Sequence, residues 1–224
     1  MRVVALSDTH GFERGMPPLP DGDILLHCGD WSRDFGHWLD TARFARWVSQ
    51  QPHRHKIVCP GNHDYAVWEQ PVRAVRLFAE SGAFMMGKNP LEIEGVTFDG
   101  GPWMPLTGYD PPWGFEMGEE ELEAAWSRVK KADVLVSHTP PQGILDVHAQ
   151  RGPVGCPVLR SHAFRIKPKV HFFGHMHECR GSVQEGGIDF VNVASNTRGT
   201  FVRDELNDIT HMTMSIRGAA VYDL

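Results

Sequence analysis

The chain has 224 residues, 41% of them hydrophobic and 22% charged, with a formal net charge of -6. This is enough chain to bury a full core as a single domain over residues 1–224, and the composition excludes a low-complexity or disordered polymer. The acidic balance argues against a nucleic-acid surface, and no run approaches the ~18 apolar residues that a membrane span needs.

Taken in order, the chain opens on an apolar run, Val3 to Leu6, that leads to Asp8-Thr9-His10. A second, Ile24 to His27, leads to Gly29-Asp30. Apolar residues at Phe35, Trp38, Leu39, Ala42, Ala45 and Trp47 predict an amphipathic helix from Phe35 to Gln50, ended by Gln51-Pro52. Ile57 to Cys59 leads to Gly61-Asn62-His63-Asp64. A helix is expected from Val67 to Ala79, with Pro71 in its first turns and a stop at Ser81-Gly82. Leu91 to Asp99 reads as a tight hairpin around Glu94-Gly95. Glu119 to Lys131 places acidic residues first and basic residues last, as the helix dipole favours. Val134 to Val136 leads to Ser137-His138, and Pro157 to Ile166 suggests a short helix. Val170 to Phe173 leads to Gly174-His175-Met176-His177. Strand candidates then follow at Gly181 to Gln184, Ile188 to Val193, His211 to Ile216 and Ala220 to Tyr222.

Short apolar runs bounded by Gly or Pro read as buried strands, and open α/β sheets carry their sites at the C-terminal strand ends. Five short motifs rich in metal-ligand residue types stand at such ends. Each alone is weak: a lone Gly-Asp is a turn, and a single His at a strand end is more often structural. Their joint occurrence in one order points to a metal enzyme.

Two Pro- and Gly-rich stretches, residues 100–118 and 139–155, resist assignment. They read either as surface loops or as rims of a pocket; the second follows His138 directly and is expected to be a rim. Cys28, Cys59, Cys156 and Cys179 form no C-x-x-C pair, so neither a zinc knuckle nor a redox motif is supported. With no leader segment read at the start, reduced thiols and a cytoplasmic location are expected.

The ordered motifs Asp8-Thr9-His10, Gly29-Asp30, Gly61-Asn62-His63-Asp64, His138 and Gly174-His175-Met176-His177 resemble the calcineurin-like metallophosphoesterases. Ser137 to Asp146, Val154-Gly155-Cys156 and Val170 to Glu178 are similar to small metallophosphoesterase-domain-containing proteins related to class III cyclic-nucleotide phosphodiesterases. Asn192-Val193-Ala194-Ser195 departs slightly from their usual Asn-Ala-Ser. The resemblance implies a four-layer αββα sandwich of two mixed sheets flanked by helices. It implies one metal on Asp8, His10, Asp30 and His177, and a second on Asp30, Asn62, His138 and His175, with Asp30 bridging. His nitrogen and carboxylate oxygen suit Mn, Fe, Zn or Co. His63 is expected beside the metals without ligating them, donating a proton to the departing oxygen. Asp64 is expected to accept from its other ring nitrogen.

Counting about +4 for two divalent metals, -2 for Asp8 and Asp30 and -1 for a bridging hydroxide leaves about +1 for an anionic substrate. The expected reaction is hydrolysis of a phosphodiester by that hydroxide, with cyclic nucleotides among the substrates. A phosphomonoesterase or protein phosphatase, a nuclease and a non-catalytic scaffold are the alternatives. Gly29-Asp30-Trp31-Ser32-Arg33 lacks the Gly-Asp-x-Val-Asp-Arg-Gly of protein phosphatases, and the scaffold reading sits badly with a full ligand set. The partner is a small phosphoester, with no membrane or nucleic acid. Trp31 is a candidate to stack on a base or wall the pocket, and His148 and Arg151 are candidates to touch substrate. His27 and His171 are expected in the core with satisfied nitrogens, and His53, His55 and His211 at exposed or edge positions.

Overall fold

The computed structural model describes residues 1–195, 200–203, 209–213 and 217–224. The first half of the chain forms β1 (Arg2–Leu6), β2 (Ile24–His27), α1 (Trp38–Ser49), β3 (His55–Val58), α2 (Tyr65–Glu69), α3 (Pro71–Glu80) and β4 (Phe84–Met85). Next come β5 (Leu91–Ile93), β6 (Val96–Gly101), β7 (Met104–Pro105), β8 (Glu116–Met117), α4 (Glu119–Trp126) and β9 (Val134–Ser137). The rest holds β10 (Val147–His148), β11 (Gly152–Pro153), α5 (Pro157–Ile166), β12 (Val170–Phe173), β13 (Gly181–Glu185) and β14 (Ile188–Asn192). The last strands are β15 (Thr200–Arg203), β16 (Ile209–Thr213) and β17 (Ala220–Asp223).

Two mixed sheets carry the domain. One has the order β17-β1-β2-β3-β4, parallel except for β17. The other has the order β13-β14-β12-β9-β6-β5, with antiparallel strands at both edges. The alternation of side chains along each strand explains why four layers form. Val3, Ala5, Ile24 and Leu26 point inward and meet Phe98, Val134, Val136, Val170 and Phe172 of the other sheet. Val4, Leu6 and Leu25 point outward and pack on Phe44, Val48, Ala74 and Phe78 of α1 and α3. On the far side, Leu135, Phe173 and Phe190 pack on Leu122, Trp126, Val158 and Leu159 of α4 and α5. The layers are therefore α, β, β, α.

Register then gathers the motifs. Leu6, His27 and Val58 lie side by side at the ends of β1, β2 and β3, so the segments after them leave from one edge. Val136 and Phe172 are likewise paired, which places His138 and His175 together. A parallel bridge between Ser7 and Ala194 ties the two sheets at that edge, and a side chain at Gly174 would collide with Ser7 and Asp8.

The hairpin at Glu94-Gly95 forms as expected, with both residues at positive φ (50° and 81°). The helices differ in detail. The expected helix over residues 67–79 is split into α2 and α3, because Gln70 precedes Pro71 and is held at φ -127°, ψ 55°, outside the helical region. Helix α1 starts at Trp38 and buries Phe44 and Val48, leaving Leu39 exposed. Helix α4 ends at Trp126, short of Lys130 and Lys131. Of the strand expected over residues 211–216, Ile209–Thr213 forms β16 and residues 214–216 lie outside the described residues, as does the side chain of His211. His53 is buried, its Nε2 beside the Pro20 carbonyl at 3.0 Å, where an exposed or edge position was expected. His55 is half-buried at the start of β3.

Candidate metal centre

The segments that follow β1, β2 and β12 turn sharply. Asp8, His10, Asp30 and His175 all have positive φ, between 46° and 66°. That region is costly for side chains other than glycine, and such strain persists at sites where the surroundings impose it. The reversal aims consecutive side chains at one point above the strand ends. Gly61 allows the same crowding: a Cβ there would run into the Asp30 carboxylate and the His138 ring.

Two clusters result. Asp8, His10 and His177 offer ligand atoms all within 4.8 Å of one another, and so do Asp30, His138 and His175. In the first, His177 Nε2 lies 3.2 Å from Asp8 Oδ1 and 3.4 Å from His10 Nε2. In the second, His138 Nε2 lies 3.2 Å from Asp30 Oδ2 and 3.1 Å from Asn62 Oδ1. All seven expected ligands are thus together. Asp30 is also the carboxylate that acts most strongly on His10, a ligand candidate of the first cluster.

Hydrogen bonds fix the ligand tautomers. A carbonyl can only accept, so His10 Nδ1–H donates to Ser32 (2.8 Å) and His138 Nδ1–H donates to Cys28 (2.8 Å). With each ring neutral, as a metal ligand must be, the bare Nε2 faces the site. His138 then aims a lone pair at two oxygens, and His10 aims one at His177 and Asp8. With the rings neutral, acceptors face acceptors and repel unless a cation lies among them, either a metal ion or the proton that Asp30 favours on His138. Two histidines and a carboxylate in each cluster, with an amide oxygen added to the second, match the donor set for Mn, Fe, Zn or Co. The residues fit a pair of metal ions.

Titration follows the same electrostatics. Burial pushes the Asp30 carboxyl up, but His138 and His63 pull it well below the usual range. Asp8 is also lowered, the pull of His177 outweighing burial. Burial lowers His138, yet Asp30 raises it to about 9. Burial dominates at His10 and His175, lowered to about 4 and about 3. Both carboxylates are charged and ready to ligate at neutral pH.

His63 stands at the edge of the second cluster, with Nε2 at 3.9 Å from Asp30 Oδ2. Its partner differs from the expected one. Nδ1 pairs with the Asp34 carbonyl, and Trp113 packs on the ring with centroids 4.5 Å apart. Asp64 instead accepts from the backbone N–H groups of Asp30 (2.9 Å), Ser32 (3.0 Å) and Gly61 (2.8 Å). It is fully buried and acts on the two ligand-bearing turns, not on the His63 ring. Burial and Asp30 push its pKa up to about 8. With three N–H donors around it and no acceptor, the charged form is the one the geometry suits.

Trp31 is not at the site. It stacks on Phe44 (4.6 Å, interplanar 3°) in the layer between the sheet and α1. His27 has both nitrogens paired, with Thr9 and with the Gly29 N–H. His171 has only Nε2 paired, with Ser137, and its Nδ1 is buried without a partner. The four cysteines are free thiols, three of them buried.

A cleft of about 800 Å³ opens above His10, Asp30, Asn62, His63, His175 and His177. Its walls come from both unassigned stretches: Met104 to Thr107, Tyr109 and Trp113 on one side, His148, Arg151, Val154 and Gly155 on the other. Both stretches are rims. Arg151 spans them, donating to the Thr107 carbonyl (3.2 Å) and lying over the Tyr109 ring (5.1 Å). Asp146 holds the second rim by accepting from the N–H groups of Gly143 (2.8 Å) and Gly155 (3.1 Å). Asp34, Trp113, Ser32 and Cys28 were not singled out from the sequence for these roles. Three act through their carbonyls, which residue type does not reveal.

No helix among the described residues is long and apolar enough to cross a membrane. The calcineurin-like phosphoesterase family model matches residues 1–179. Two UPF0046 proteins of Caenorhabditis elegans are 31% and 33% identical over 91% and 87% of this chain, and 72% and 75% of their own length. Metallophosphoesterase domain-containing protein 1 of Homo sapiens is 29% identical over 86% of this chain and 65% of its own. In structure, the phosphopantetheinyl hydrolase of Mycobacterium tuberculosis aligns with a TM-score of 0.63 at 17% identity, covering 86% of this chain and 88% of its own.

Proposed function

Since the chain belongs to the calcineurin-like phosphoesterase family, we propose that it is a two-metal phosphodiesterase. The observation that supports this most is the pair of acceptor clusters facing the floor of a cleft with His63 beside them. When bound, the metals supply Lewis-acid activation of water and of the phosphoryl oxygens. The chain's own residues do the rest. The Ser32 and Cys28 carbonyls keep His10 and His138 in the ligating tautomer. Asp64 keeps the two ligand-bearing turns in register. His63, aimed by Asp34, delivers a proton from Nε2 to the departing oxygen.

Support for diesters comes from the walls. A diester carries a group on each side of phosphorus, and residues of both the 100–118 and the 139–155 stretch line the cleft above the floor. Cyclic nucleotides are the diesters that the motif resemblance names and belong in the first screen. The test is kcat/KM for an aryl diester against the matching aryl monoester, on metal-loaded protein. A clear preference for the diester is expected; a higher value for the monoester would overturn the reading.

A further inference from the structure

The floor of the cleft is polar, and one part of its mouth is apolar. Leu106 and Tyr109 line it while 59% and 56% exposed. Trp113, also lining, stacks on Phe35 (4.2 Å, interplanar 9°), which is 44% exposed. Phe35 meets Tyr65 (5.7 Å), Tyr65 meets Trp68 (5.1 Å), and Trp68 is 45% exposed. Scattered exposed apolar residues are ordinary on a protein surface, but a connected set bordering a cleft marks a contact surface.

The rim does not suit a flat base. Trp31 is inside the core. The Trp113 ring is taken up by Phe35 and His63, and Arg151 lies over Tyr109. Nor does it suit a polyanion, since Arg151 is the one Arg or Lys among the described lining residues. A half-exposed apolar rim whose aromatic faces are already partly covered suits a flexible hydrocarbon chain, which gains from area covered and needs no specific partner.

We infer that the preferred substrate is an amphiphilic phosphodiester, with its phosphate at the floor beside His63 and an alkyl or acyl chain along Leu106, Tyr109, Phe35 and Trp68. The inference rests on the phosphodiesterase reading. The step remains a hydrolysis: water adds to phosphorus, one ester P–O bond breaks, and the leaving oxygen takes the proton.

The test is a series of 4-nitrophenyl n-alkyl phosphates, methyl through octyl, given below micellar concentration to the metal-loaded full chain. Full burial of a CH₂ corresponds to about fourfold, so a half-exposed rim should raise kcat/KM about twofold per CH₂ over the first several carbons. In Leu106→Ser/Tyr109→Ser this slope should fall toward zero. A flat series in the wild-type protein, with the methyl ester still hydrolysed, would overturn the inference and leave the phosphodiesterase reading standing. Failure to hydrolyse any member would overturn both.

Discussion

His63 Nδ1 donates to the main-chain carbonyl of Asp34 at 2.8 Å, which leaves Nε2 as the nitrogen that faces the metal ligands. A main-chain carbonyl can only accept, so this contact fixes a hydrogen on Nδ1 and orients the ring. Asp34 has positive φ (44°), so its carbonyl direction depends on an uncommon local backbone.

His63→Ala should therefore retain both metals and lower kcat by about 10²–10⁴ on alkyl esters, the range for general acid catalysis. The loss should be smaller with 4-nitrophenyl esters, whose leaving group departs unprotonated. Metal analysis with kcat across leaving groups checks this. A missing metal equivalent would instead make His63 a ligand.

Asp64→Ala would strand the N–H groups of Asp30, Ser32 and Gly61, all fixed by one buried carboxylate. Each unpartnered group costs about 1–3 kcal/mol, so a loss on the order of 3 kcal/mol or more is expected in denaturant unfolding. Metal affinity should fall with it, because Asp30 and Asn62 sit on the released turns. Asp64→Asn, keeping one acceptor oxygen, should lose less. Equal stability for Asp64→Ala and wild type would contradict the role.

Removing ligands should separate the clusters. Asp30→Ala should weaken both metals, since this charge acts on His138 and on His10. Asn62→Ala should weaken mainly the ion at Asp30, His138 and His175. Metal titration of each purified variant would show the difference. Selective loss at the Asp8 cluster from Asn62→Ala would refute the division.

Much of this site was legible in the sequence because each ligand motif closes an apolar strand. Burial fixes the strands, their register aligns their ends, and the ligands follow. What lay hidden depends on direction. Trp31 follows Asp30 immediately, yet the reversal at Asp30 (φ 58°) sends it to the helix layer. Asp64 follows His63, yet it turns to backbone N–H groups that have no side-chain signature. Trp113 reaches His63 from 50 positions away along the chain, which no local pattern encodes.

His171 gives a pH prediction independent of the metals. Burial lowers its pKa from 6.5 to about 3, so the unfolded chain binds a proton there that the folded chain does not. Its stability contribution is complete above about pH 6.5 and is lost as pH falls toward 3, at about 1.4 kcal/mol per unit. Between pH 7.5 and 5.0, chelator-treated wild type should lose about 2 kcal/mol more than His171→Gln in urea unfolding. Parallel losses would contradict a neutral buried imidazole.

If both clusters hold metals that together promote phosphodiester hydrolysis, activity must follow the filling of both. Metal-free protein should be titrated with Mn, Zn, Co or Fe while hydrolysis of bis(4-nitrophenyl) phosphate is followed. Activity should rise from near zero and level off at about two equivalents per chain, and a chelator should abolish it. Full activity in the metal-free protein, or a plateau at one equivalent, would contradict a two-metal site.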